Sequence, residues 1–177
     1  RRVCILVHES CKAQDIADRK DPNVQFLLAS GRWKEVLVPI DKGRSQICVA
    51  TLYGVSGASN DNAKKEETER LLAAALLRLA SMKKVPYVLT TDLNIDPKRM
   101  KILSKCIECN ICHDIVCDKH QGNASPTYCK TNVKEGMTGE GTSRIDTIIT
   151  NPAAANMVDD IDQIYGTALA FDHTPFK

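Results

Sequence analysis

No run of apolar residues in this chain is long enough to span a membrane, and no signal peptide is visible. Neither sign of charge dominates. The 24 Lys and Arg nearly balance the 22 Asp and Glu, for a net charge of +2, so no global basic field announces nucleic acid. A local basic groove is compatible with that balance. Internal repeats, heptad patterns and low-complexity tracts are absent from the sequence, which excludes solenoids, coiled coils and disordered tails as its main architecture.

What is present fits one globular domain. A length of 177 residues with 43% hydrophobic and 26% charged content supports a single core. Cysteine is plentiful, at eight. A chain of this length builds a core without staples, so the cysteines are expected to be reduced thiols in an intracellular protein, with the nucleus as one location. The chain opens Arg1-Arg2-Val3 without a methionine and is expected to be a trimmed segment.

Apolar runs and punctuation predict the elements. Val3 to Val7 reads as a buried strand and Glu9 to Asn23 as loop. Val24 to Ala29, Trp33 to Ile40 and Gln46 to Tyr53 read as strands, the last two joined by a turn at Asp41-Lys42-Gly43-Arg44. Ala63 to Met82 reads as a helix. Its acidic start suits the helix dipole, and Leu72, Leu76, Leu79 and Met82 share one face. Val85 to Thr90 is a strand that delivers Asp92 and Asn94 to its C-terminal end. Pro97 opens a helix running to about Cys109. Thr131 to Thr142 reads as a mobile loop, and Ile145 to Thr150 and Met157 to Tyr165 as late strands. Paired strands followed by alternating elements predict a mixed-sheet sandwich of the α/β or α+β type.

Three polar clusters are attached to these strands: Thr91-Asp92-Leu93-Asn94, Ser143-Arg144-Ile145-Asp146 and Phe171-Asp172-His173. Carboxylates that hold a hard cation and activate water, with an imidazole to stabilise phosphoryl oxygens, suit metal-assisted phosphoester hydrolysis. Each cluster has a bland alternative. Asp92 and Asn94, two apart, point the same way on an extended backbone, or else build a turn. Asp146 inside an apolar run needs a partner if buried. That partner is His173, in an Asp-His dyad, or Arg144 at a surface. Tyr53 is a phosphate-contacting hydroxyl or a half-buried aromatic with its oxygen at the rim.

In chain order, Val49-Ala50-Thr51-Leu52-Tyr53-Gly54, Thr91-Asp92-Leu93-Asn94, Pro126-Thr127-Tyr128, Ser143-Arg144-Ile145-Asp146 and Asp172-His173 resemble the motifs of the endonuclease/exonuclease/phosphatase superfamily. The resemblance implies a four-layer α/β/β/α sandwich of two mixed sheets, with residues 1–177 forming a single domain that lacks its opening strands. It implies that Asp92 activates or positions the attacking water and that Asn94 holds the phosphate. His173, oriented by Asp146, stabilises the transition state. Asp172 and Asp92 bind the divalent metal, Mg2+ with Mn2+ as the alternative, and Tyr53 contacts the phosphate. The chain departs from the pattern at Thr91, where the family has glycine and where added bulk is expected beside the site, and at Leu93, where it has an aromatic. The metal-binding glutamate of the family's early strands has no counterpart here, and Glu9 is a poor substitute.

The expected activity is therefore that of a nuclease acting on DNA or RNA, as a monomer away from membranes, with Lys130, Lys134 and Arg144 as backbone contacts. Hydrolysis by this segment alone is expected to be weak or absent. The rival readings are a non-catalytic nucleic-acid-binding or retroelement-type relative, a phosphatase of inositol or lipid phosphates, and a zinc module. The last would use Cys106, Cys109, Cys112 and Cys117 with His113 and His120. Against zinc, a helix through Lys101 to Cys112 would put 106, 109 and 113 on one face and 112 elsewhere.

Overall fold

A computed structural model describes residues 3–16, 20–122, 124, 126–127 and 143–161. Its strands are β1 (Gln14–Asp15), β2 (Trp33–Ile40), β3 (Ser45–Tyr53), β4 (Tyr87–Asp92), β5 (His113–Asp114) and β6 (Asp146–Thr150). Its helices are α1 (Pro22–Ser30), α2 (Asn62–Ser81), α3 (Lys101–Glu108), α4 (Ile115–Lys119) and α5 (Pro152–Ala155). The strands form one six-stranded sheet in the order β1-β2-β3-β4-β6-β5. The expected α/β class is observed. Among the described residues the expected two-sheet sandwich is represented by this one mixed sheet.

β2 and β3 make an antiparallel hairpin. Its turn places Asp41 at φ 48°, Lys42 at φ 56° and Gly43 at φ 86°. From β3 the chain crosses through α2 to β4, which pairs parallel to β3. β6 then returns antiparallel beside β4. Alternation along β3 decides where the core lies. Cys48, Ala50 and Leu52 are buried and face α2, while Val49, Thr51 and Tyr53 on the other face are half-buried. Leu71, Leu72, Ala75, Leu76 and Leu79 of α2 fill the core above Leu89 and Ile149, and Met82 packs at its margin. The predicted apolar face of this helix is thus present, widened by Leu71 and Ala75. A second cluster of Ile115, Val116 and Ile161 packs with Ile148 at the β6 end of the sheet.

Glu35 is a charge on the core face of β2, 1% exposed. Arg78 of α2 neutralises it, with Nε donating to both carboxylate oxygens at 3.1 and 3.2 Å. Burial raises the Glu35 carboxyl, and the Arg78 charge and hydrogen bond pull it back.

Several elements differ from the sequence expectation. Val24 to Ala29 is helical, not a strand. Asp21 accepts from Asn23 N at 2.7 Å, Pro22 occupies the first turn, and Gly31 closes the helix at φ 68°. A six-residue apolar run does not distinguish a buried helix from a strand, and here the caps decide. Val3 to Val7 is not a buried strand: Leu6 is 93% exposed, and the sheet position beside β2 belongs to β1. The reach Glu9 to Asn23 is less irregular than expected, holding a 3-10 turn (Glu9–Cys11), β1 and the start of α1. The helix expected from Pro97 is split into a 3-10 turn (Pro97–Arg99) and α3 by Met100, whose ψ is 105°. Of the strand expected over 157–165, the described residues 157–161 are turn and irregular chain. The loop expected at 131–142 lies outside the described residues. No helix among them is long and apolar enough to cross a membrane.

Candidate active site

Tyr53, Asp92 and Asp146 occupy one rung at the end of the sheet. Tyr53 is the register partner of Asp92 across the parallel β3–β4 pair, and Asp92 is the partner of Asp146 across the antiparallel β4–β6 pair. Register partners present their side chains on the same face. Three residues from distant parts of the chain therefore line up side by side on the half-buried face, opposite α2.

The backbone around this rung is tightly tied. Gly54 N donates to Asp92 O at 2.6 Å, and Leu93 N donates to Ile145 O at 2.8 Å. A Cβ on Gly54 would lie 2.4 Å from the Leu93 carbonyl oxygen, so only glycine lets β3 and the end of β4 approach this closely. β4 stops at Asp92 because Asn94 turns left-handed, at φ 55°. Asn94 N donates to Asp92 Oδ1 at 3.0 Å, and Asn94 Nδ2 donates to Gly54 O at 3.3 Å. Asp92 and Asn94 are thus not two parallel side chains on a strand. They form a turn, and that turn holds the Asn94 amide over Gly54.

Two more residues belong to the site. Arg32 Nη1 donates to Gly54 O at 2.7 Å, and its guanidinium lies 5.4 Å from the centroid of the Tyr53 ring. The Tyr53 hydroxyl is 3.2 Å from Ser56 Oγ. Neither Arg32 nor Ser56 carries a sequence signal. Arg32 precedes a strand and Ser56 lies in a polar loop, and their roles arise from partners far away in sequence.

The departures from the family pattern settle differently. Thr91 does not crowd the site. It points to the opposite face, is 5% exposed, and donates to Thr147 O at 3.2 Å. Leu93 is fully buried and serves the core.

Arg144 is neither a surface partner of Asp146 nor a backbone contact for nucleic acid. It is 6% exposed and is held by Asp114, 4% exposed. Nη1 donates to Asp114 Oδ1 at 3.1 Å, Nη2 donates to Oδ2, and Nη1 also reaches Thr147 Oγ1 at 3.3 Å. Burial alone would raise the Asp114 carboxyl. The hydrogen bonds and charge of Arg144, helped by Thr147 and the Cys117 amide, hold it below its ordinary value. Asp172, His173, Lys130 and Lys134 lie outside the described residues.

Among the described residues the cysteines do not converge on a metal. α3 ends at Glu108, and Ile111 N and Cys112 N turn back to Cys106 O at 2.8 and 3.4 Å. This brings the buried Cys112 towards Cys106, contrary to the continuous helix expected to separate them, while Cys109 is exposed. His113 instead pairs with Asp118 at 3.0 Å. Glu9 is exposed in its 3-10 turn. Among the described residues no group of three or more His, Cys, Asp or Glu is placed to hold a metal ion.

No protein-family model and no curated protein sequence matches this chain. Solved structures do. A 3′ phosphatase from Neisseria bound to a product DNA hairpin superposes with a TM-score of 0.63 at 20% identity, over 93% of this chain and 68% of that one. An AP endonuclease from Archaeoglobus fulgidus gives 0.58 at 16% identity, over 93% and 85%. An AP endonuclease from Leishmania major gives 0.64 at 14% identity, over 82% of this chain and 53% of that one. By its likeness to these solved structures the chain has the endonuclease/exonuclease/phosphatase fold.

Proposed function

We propose that this chain is a phosphodiester hydrolase of nucleic acids. The observation that carries the reading is the rung, which sets two carboxylates and a phenol on one face at the end of the sheet. The likeness to a 3′ phosphatase bound to DNA and to two AP endonucleases supports it.

The donor chemistry of the rung, carboxylate oxygen, is the kind that a hard divalent cation takes. Asp92 and Asp146 stand directly opposite one another on the rung, which puts two carboxylates within one small region of the sheet end. Magnesium is commonly held by one or two carboxylates, with water and substrate oxygens completing its shell. Asp92 would hold it, together with Asp172. When bound it would neutralise charge on the phosphate and lower the pKa of water.

The chain's own residues would do the rest. Asp92 positions the attacking water and takes its proton. The Tyr53 hydroxyl donates to a phosphate oxygen, its ring steadied by Arg32. One N–H of the Asn94 amide is spent on Gly54 O, and the other would donate to the phosphate. His173, oriented by Asp146, stabilises the charge that develops as the P–O bond to the leaving oxygen breaks.

The test is cleavage of a plasmid and of a single-stranded oligonucleotide with magnesium or manganese, comparing this chain with Asp92→Asn and His173→Ala. The expected result is slow but measurable cleavage by this segment that falls at least ~100-fold in both variants. Absence of cleavage by the unaltered chain with either metal would refute the reading.

A further inference from the structure

Asp146 is the start of β6, and its backbone is fixed from a direction the reaction does not require. Thr127 is fully buried. Its Oγ1 accepts from Ile145 N at 3.1 Å and from Asp146 N at 3.0 Å, and its own N donates to Ser143 O at 3.1 Å. One hydroxyl thus clamps two successive amides at the point where the strand begins. A second clamp brackets the same residue. Asp114 holds Arg144, two positions before Asp146, and accepts from Thr147 Oγ1, one position after it, at 2.6 Å. Asp114 is itself anchored by Cys117 N at 3.2 Å, at the start of α4.

A buried ion pair is a poor source of stability, because desolvation consumes most of its attraction. Asp114 and Thr147 also lie on the face opposite the rung, since Asp114 registers with Ile149 and Thr147 adjoins Asp146 in β6. They do not reach a substrate on the Asp92 side. What the network supplies is position. It fixes residues 144 to 147 against β5 and α4, and the Leu93 N to Ile145 O bond passes that constraint to the turn carrying Asp92 and Asn94.

We propose that Thr127 and Asp114 are positioning residues for the site: Thr127 by clamping the Asp146 amide, Asp114 by holding Arg144 and Thr147 on either side of it. This rests on the hydrolase reading above. In such a site a displacement of about 1 Å costs about 100-fold in rate.

The experiment compares Thr127→Val, which keeps the shape and removes the acceptor, with Thr127→Ser, which keeps the acceptor. Oligonucleotide cleavage is measured well below each variant's melting temperature. Amide hydrogen exchange and chemical shifts at Leu93, Asn94 and Asp146 are followed by NMR. Thr127→Val is expected to lower kcat by about 10- to 100-fold with KM within about twofold. It should also speed exchange at the Asp146 amide by at least about 10-fold and shift Leu93 and Asn94. Thr127→Ser is expected to restore kcat and protection. Asp114→Asn should reproduce the kcat loss. A merely structural role would lower the melting temperature of Thr127→Val and leave kcat per folded molecule unchanged, which overturns the proposal. If the unaltered chain does not cleave, the hydrolase reading fails. The exchange data then decide the positioning claim: unchanged protection at Asp146 in Thr127→Val overturns it, and lost protection sustains it.

Discussion

Asn94 does two jobs that substitution separates. Its backbone sits at φ 55°, and its amide bonds Gly54 O. Asn94→Ala loses both, at a cost of about 1 kcal/mol or more for a Cβ in the left-handed region. Asn94→Gly keeps the backbone and loses only the amide. Urea midpoints should therefore fall for alanine and stay near the starting value for glycine, whereas cleavage should drop equally in the two. Equal activity in Asn94→Gly and the unaltered chain would remove Asn94 from the phosphate-binding role. At this scale the sequence is uneven. Tyr53, Asp92, Asn94 and Asp146 could be marked as candidates because each polar residue interrupts or ends an apolar run. Arg144 looked exposed because it follows the polar stretch Thr142-Ser143, and its partner Asp114 lies thirty residues away. A sequence shows that a residue carries charge; the fold shows which opposite charge it meets.

At the scale of elements, Asp114 joins β5, α4 and β6, and it leaves a pH signature. Its folded pKa is depressed relative to the unfolded chain. Its contribution to stability is therefore complete above the unfolded carboxylate pKa and is lost as pH falls through the lower folded value. Asp114→Asn should flatten that acid limb. Stability measured from about pH 5 to about pH 2.5 should fall less steeply in the variant than in the unaltered chain. Identical slopes would mean that Asp114 is not ionised in the folded state. The elements themselves were legible where they are long. The spacing of α2 and the alternation in β2 and β3 survive in the structure because each buries one face. Short apolar runs failed. Val24 to Ala29 is a helix by virtue of Asp21, Pro22 and Gly31, which flank the run and lie outside its apolar pattern.

For the molecule as a whole, the cysteines report the packing. Burial drives the Cys48 and Cys112 thiols up to about 12, whereas Cys4 and Cys109 are exposed. Alkylation at pH 8 followed by mass spectrometry should label Cys48 and Cys112 at least ~100-fold more slowly than Cys4 and Cys109 until the chain unfolds. Rapid labelling of Cys112 in the folded protein would contradict the turn that buries it. The sheet order was beyond sequence reading. Apolar patterns identify strands, but nothing local states that β6 returns between β4 and β5.

That order has a kinetic consequence. Trp33 lies in the β2–β3 hairpin, whose partners are near neighbours in the chain, while the rung joins positions 53, 92 and 146. Closing those long loops carries an entropic cost that the hairpin avoids. In refolding, the fluorescence of the single tryptophan should recover before cleavage activity does. Simultaneous recovery would show that β6 docks as early as the hairpin forms. If the two separate, a population that looks native by tryptophan emission still contains molecules without a working site, and rates normalised to that signal understate what each completed molecule does.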